Sequence, residues 1–82
     1  MTEAIEMKLE NVLNKTLPHL ANIQADQSFA EADLLDSIEY LDLVMIVESN
    51  FQIDLVDADI TDENFGSKGR ILALIKRKKN II

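Results

Sequence analysis

Cysteine and tryptophan are missing from this chain, which has one proline, two glycines, one histidine, and only one tyrosine and three phenylalanines. Without cysteine there is no disulfide, no thiolate nucleophile and no zinc-thiolate site. Two glycines, Gly66 and Gly69, cannot form a glycine-rich phosphate loop. With so few aromatics, Leu, Ile and Val must fill the core. No apolar run approaches the roughly 18 residues of a membrane span. The start, MTEAIEMKLE, lacks the basic-then-apolar order of a signal peptide. The expectation is a soluble, cytoplasmic, monomeric domain with no membrane span.

Catalytic constellations are also scarce. His19 follows Pro18 with no carboxylate or cysteine close by in sequence, so it reads as a surface loop histidine rather than a general base. The acids of DLVDADITDE resemble a calcium loop only in part. Asp62 stands where that loop needs glycine and Lys68 where it needs glutamate, so no metal site is expected. Nothing assembles an active site, and the chain is read as a non-enzyme.

What is present is a single domain, 1–82, of 82 residues, 48% apolar and 28% charged, near the lower limit for a self-sufficient core. Its net charge of −7 is unevenly spread. All fifteen acids lie at or before Glu63. Only Lys8 and Lys15 oppose them there, which leaves residues 1–67 at −13, whereas residues 68–82 carry six basic groups and no acid. The acidic body argues against nucleic acid and for basic protein partners, whose association it accelerates at low salt. The same acidity also serves solubility alone.

Ile5, Leu9, Val12 and Leu13 recur at helical spacing, predicting a helix over 3–16 with Thr2 as N-cap, Glu3 and Glu6 favoured by the dipole, and Pro18 as its stop. A long connection follows. Its Leu20, Ile23, Phe29, Leu34 and Leu35 are expected to pin it to the core. A second helix is predicted over 37–50, with Asp36 as N-cap and Glu39 completing a capping box. Residues 51–60 read as a loop and TDENF (61–65) as one helical turn capped by Thr61. Ser67 caps a last helix that packs Ile71, Leu72, Leu74 and Ile75 inward, with Lys76 to Lys79 at its C-terminal end. The predicted fold is all-α: a small antiparallel four-helix bundle with three main helices, one short helix and a long first loop. Its core covers about 2–78, and 76–82 form a basic tail.

The second helix carries two apolar groups. At 100° per residue from Ile38, Tyr40, Leu43, Val44, Val47 and Phe51 span about 140° to 240°, the core face. Ile38, Leu41 and Met45 lie nearly opposite, with Asp42 and Ser49 on one side and Glu48 on the other. Either this strip is an exposed partner surface rimmed by acids, or the long first loop folds over it. Periodicity leaves both open. The adaptable thioether of Met45 suits a partner surface.

Ser37 opens this helix, in LLDSIEYL. A serine at a first helical position is ordinarily a cap or a solvent-facing residue. Here it stands beside Asp36, at the start of the one helix with two stripes and next to a long loop. A phosphodiester at that position would meet the free N–H groups and positive dipole end of the helix.

Phe29 followed by Ser37 in SFAEADLLDSIEYLDLVMIVESNF, and then DADITDENFGSKGRILALI, resembles the acyl carrier protein family, which includes peptidyl and aminoacyl carrier domains. The resemblance covers about residues 2–78. It implies that Ser37 receives a covalent phosphopantetheine arm from coenzyme A, attached by a phosphopantetheinyl transferase that recognises Asp36 beside it. The arm's thiol would carry acyl or aminoacyl groups as thioesters, which also answers the lack of cysteine. Partner binding would fall to Ile38, Glu39, Leu41, Asp42, Met45 and Glu48, facing acyl-loading and acyl-processing enzymes with basic docking surfaces. Two departures stand out. Many members have glycine in the loop before the Asp-Ser pair, where this chain reads EADLL, and Ile38 replaces the usual leucine or methionine. LLDS is closer to carriers of polyketide, nonribosomal-peptide and D-alanyl pathways than to the usual fatty-acid carrier. The alternative is an unmodified acidic helical adaptor that binds a basic protein.

Overall fold

Apolar periodicity in α1 (Thr2–Thr16) continues past the helix. Ile5, Leu9 and Leu13 are buried, and so is Leu17 beyond the helix end. Val12, expected inside, is only half-buried. The computed structural model describes residues 2–79. Thr2 is already helical rather than preceding α1; its expected capping contact and the side chain of Glu3 lie outside what is described. Pro18 lacks the N–H that would prolong α1, and the chain instead makes a 3-10 turn over Pro18–Leu20.

Helix α2 (Ser37–Phe51) buries Leu43, Val44, Val47 and Phe51. It ends where Gln52 takes a left-handed conformation and donates its N–H to the Glu48 carbonyl. The stretch after it is not wholly a loop, because Asp57–Asp59 form a 3-10 turn. The Asp59 carboxylate accepts the Val56 N–H at 3.0 Å. Helix α3 (Asp62–Phe65) follows. Thr61 precedes it, but its hydroxyl makes no capping bond; its carbonyl accepts Phe65 N–H at 2.8 Å instead. In α4 (Lys68–Lys78), Ser67 Oγ accepts the Arg70 N–H as the sequence predicts. Ile71, Leu74 and Ile75 are buried, with Leu72 half-buried.

These helices form a small bundle in which α1 packs on α2 and α4, and α3 packs on α4. No strand occurs among the described residues. The radius of gyration, 11.6 Å, matches the roughly 12 Å of a compact domain of this length. Phe65, fully buried, meets the Tyr40 ring edge-on with centroids 6.2 Å apart.

The first loop is pinned, as expected. Leu20 and Phe29 are buried, and Ile23, Leu34 and Leu35 pack against the core. Phe29 N–H donates to the Gly66 carbonyl at 2.9 Å, and Gly69 N–H to the Ala25 carbonyl at 2.8 Å. Glycine at position 69 lets this approach happen, since a Cβ there would lie 3.1 Å from the Ala25 oxygen. One contact has no trace in the sequence pattern. Lys68 is 4% exposed, and its ammonium pairs with Glu10 of α1. The other Glu10 oxygen accepts the Asn22 N–H at 2.9 Å. Burial pushes the Glu10 carboxyl up, but Lys68 and the Asn22 N–H together outweigh that and hold it below the ordinary range.

The basic run is not a free tail as far as it is described. Residues 76–78 are the last turn of α4. Arg77 donates to Asn64 at 2.6 Å and Lys78 pairs with Asp59 at 2.6 Å, tying α4 to the segment around α3. Residues 80–82 lie outside the described part.

Candidate functional site

Ser37 is the first residue of α2 and is exposed to solvent. The capping box read from the sequence is closed on both sides. Asp36 Oδ1 accepts the Glu39 N–H at 2.8 Å, and Glu39 Oε1 accepts the Asp36 N–H at 3.3 Å. These bonds fix the backbone on each side of Ser37, so its hydroxyl projects from a defined helix start. The remaining amides of the first turn and the helix dipole make this a favourable position for an oxyanion.

Beside Ser37 lies a shallow groove of about 530 Å³, formed by Leu35, Asp36, Tyr40, Leu41 and Asp62. Its floor is apolar and two carboxylates flank it. Burial, then the charge of Asp62, pushes the Tyr40 phenol up from its ordinary range. A second groove, of about 550 Å³ along α1 and including Met7, Lys8, Val12 and Lys15, shares none of these residues. No cluster of side chains suited to a metal occurs among the described residues. Nor is any described helix long and apolar enough to cross a membrane.

The two arrangements left open for the α2 strip are now separated. Ile38, Leu41 and Met45 are 72%, 59% and 65% exposed, while Val47 on the opposite face is fully buried. The first loop packs its apolar residues into the core instead of over the strip. Asp42 and Ser49 are exposed along one rim. On the other, Glu48 is half-buried and its carboxylate accepts the Leu55 N–H at 3.0 Å, so this acid also organises the chain after α2. The chain that this bond holds beside α2 continues into Val56, which is also exposed.

Of the residues singled out by sequence, Ser37, Asp36, Ile38, Glu39, Leu41 and Asp42 gather at the N-terminal half of α2, with Met45 and Glu48 one and two turns further on. His19 is exposed, as a surface loop histidine should be, but it also meets a carboxylate distant in sequence: its Nε2 lies 3.3 Å from Glu39 and 2.9 Å from the Leu34 carbonyl. A separation of fifteen residues to Leu34 leaves no periodic trace.

This geometry separates burial from exposure on a single helix, and truncations test it. Leu41→Ala and Met45→Ala should each cost about 1 kcal/mol or less in denaturant melts. Val47→Ala should cost roughly 2 kcal/mol from lost burial and the cavity left behind. Equal costs for all three would make the strip part of the core.

Comparison of the chain with protein-family models, with curated proteins and with solved structures finds no match in any of the three.

Proposed function

We propose that this chain is a carrier protein of the acyl carrier type, modified at Ser37 with phosphopantetheine from coenzyme A and delivering tethered acyl or aminoacyl groups to partner enzymes. The observation that carries this reading is the placement of one exposed hydroxyl at a doubly capped helix start, on the same helix as an exposed, acid-flanked apolar strip. The resemblance of the LLDS segment and the following ITDENF turn supports the same assignment.

The site's residues suit the group. Ser37 Oγ is accessible for attack on the pyrophosphate of coenzyme A, forming one P–O bond as another breaks and releasing the nucleotide half, with the hydroxyl proton passing to a base of the transferase. Asp36 accepts the Glu39 N–H, which holds its side chain in the cap beside Ser37. The free amides of the first turn then face the phosphodiester. Once attached, the arm supplies the thiol that the chain itself lacks. Leu35, Tyr40 and Leu41 offer an apolar shelf beside it. The exposed Ile38, Leu41 and Met45 provide a desolvatable contact for partners, and Asp42 adds long-range attraction for basic ones. In this reading the chain is not an enzyme. It raises the effective concentration of its cargo at partner active sites.

The test is intact mass after incubation with coenzyme A, magnesium and a broad-specificity phosphopantetheinyl transferase. One phosphopantetheine per chain is expected. An unmodified mass from folded protein would favour the acidic adaptor instead.

Asp36→Asn should slow this modification more than it lowers stability. Asparagine still accepts the Glu39 N–H, so the cap survives at a cost of a few tenths of a kcal/mol. The lost charge weakens the encounter with a basic transferase. A wild-type rate for this variant would reduce Asp36 to a cap.

A further inference from the structure

We propose that His19 is a positioning residue for the Ser37 site, latching the end of the first loop to the start of α2; the inference rests on the carrier reading above. The argument begins with one atom. His19 Nε2 lies 2.9 Å from the Leu34 carbonyl oxygen and 3.3 Å from Glu39 Oε2. Both neighbours are acceptors, so Nε2 carries its proton, whether the ring is neutral or charged. The opposite neutral tautomer would aim a lone pair at a carbonyl and a carboxylate at once.

Glu39 uses its two oxygens for different tasks. Oε1 accepts the Asp36 N–H of the capping box, and Oε2 faces His19. The Leu34 carbonyl is held by the same imidazole. The four residues between Leu34 and Glu39, namely Leu35, Asp36, Ser37 and Ile38, are therefore bracketed on both sides. The bracket is fastened to the 3-10 turn at Pro18–Leu20, whose Leu20 is fully buried. Without it, the loop would meet α2 through Leu34 and Leu35, both only half-buried, and through the cap alone. A transferase must dock against this junction and find the Ser37 hydroxyl in one place. Order present before binding does not have to be created on binding.

Because His19 is exposed on the surface, its removal should leave the fold intact. His19→Leu should lower kcat/KM for modification about five- to tenfold, the worth of one or two surface hydrogen bonds. The loss should fall on KM, because the disordered junction must be fixed during docking. His19→Gln places an amide N–H close to the Nε2 position and should recover most of it. A merely structural role would lower melting temperature without this split or rescue.

A second measurement needs no transferase. Amide exchange at Asp36 and Glu39, the two donors of the capping box, should speed up by a similar factor in His19→Leu and return toward wild type in His19→Gln. Equal kcat/KM in wild type and His19→Leu, or unchanged exchange at both amides, overturns the positioning role. If wild-type protein takes no phosphopantetheine, the carrier reading falls and the role at that site falls with it, whereas the exchange result still reports whether the latch exists.

Discussion

Ser37→Ala should abolish phosphopantetheine attachment while leaving a folded, helical protein. The two halves of this result have separate causes. Chemically, the proposed reaction needs an oxygen nucleophile at this position, and alanine has none. Structurally, the Ser37 side chain is exposed, and the capping bonds of α2 run between Asp36 and Glu39 without using its hydroxyl. Alanine is also the better helix former, by about half a kcal/mol in a helix interior, which offsets any small loss at the first turn. The net change in stability should be about 1 kcal/mol or less in either direction. Intact mass and urea melts on the same samples check both halves. Modification of the alanine variant at the wild-type rate would place the attachment elsewhere and end the assignment of Ser37.

The largest expected loss of stability comes from Glu10. Replacing it with alanine leaves the Lys68 ammonium buried without its partner and removes the acceptor of the Asn22 N–H. Breaking a fully buried pair costs about 3–5 kcal/mol. Here the Lys68 side chain is 5% exposed but that of Glu10 is 38%, so the expectation sits at the lower end, about 3 kcal/mol. The reverse change should be much milder. Lys68→Met keeps the buried methylenes, removes the charge, and leaves Glu10 with Asn22 and solvent, for a cost of about 1 kcal/mol or less. Equal costs for the two variants would mean that Lys68 reaches water when unpaired.

The pH dependence follows from the sign of the Glu10 shift. The carboxyl is held below its ordinary value of 4.5 in the folded protein, so the unfolded chain takes up the proton first as pH falls. The pair's contribution is therefore complete above that value and is lost as pH drops through the lower folded one. The gap in stability between wild type and Glu10→Ala should narrow in acid. A gap independent of pH would show that the shift has another origin.

Much of the local structure was legible because it depends on neighbours in the chain. The Asp36–Glu39 capping box, the stop at Pro18 and the Ser67 cap are short-range effects, and each appears as read. The buried faces of α1, α2 and α4 were legible from 3.6-residue periodicity, as was the second stripe on α2. Failures clustered where a backbone group took over from a side chain or where an element was too short for a period. The Thr61 carbonyl closes α3 in place of the hydroxyl, and the two 3-10 turns, of three residues each, are too short to leave a periodic signature. Val12 belongs to the apolar pattern of α1 but sits at the margin of the packed face.

By itself, the sequence determined that the chain is helical, where α2 and α4 begin, most of the residues that fill the buried faces, and that Ser37 opens a helix with two apolar stripes. Those properties follow from dihedral preferences, capping and periodicity, all of which act within a few residues. Only the tertiary structure decided whether the Ile38, Leu41 and Met45 stripe meets solvent, because that depends on where the first loop packs. The pairing of Lys68 with Glu10 and the reach of His19 to Leu34 and Glu39 were likewise decided there. These contacts join groups between fifteen and fifty-eight residues apart, and no periodicity along a chain records which of its distant parts will touch.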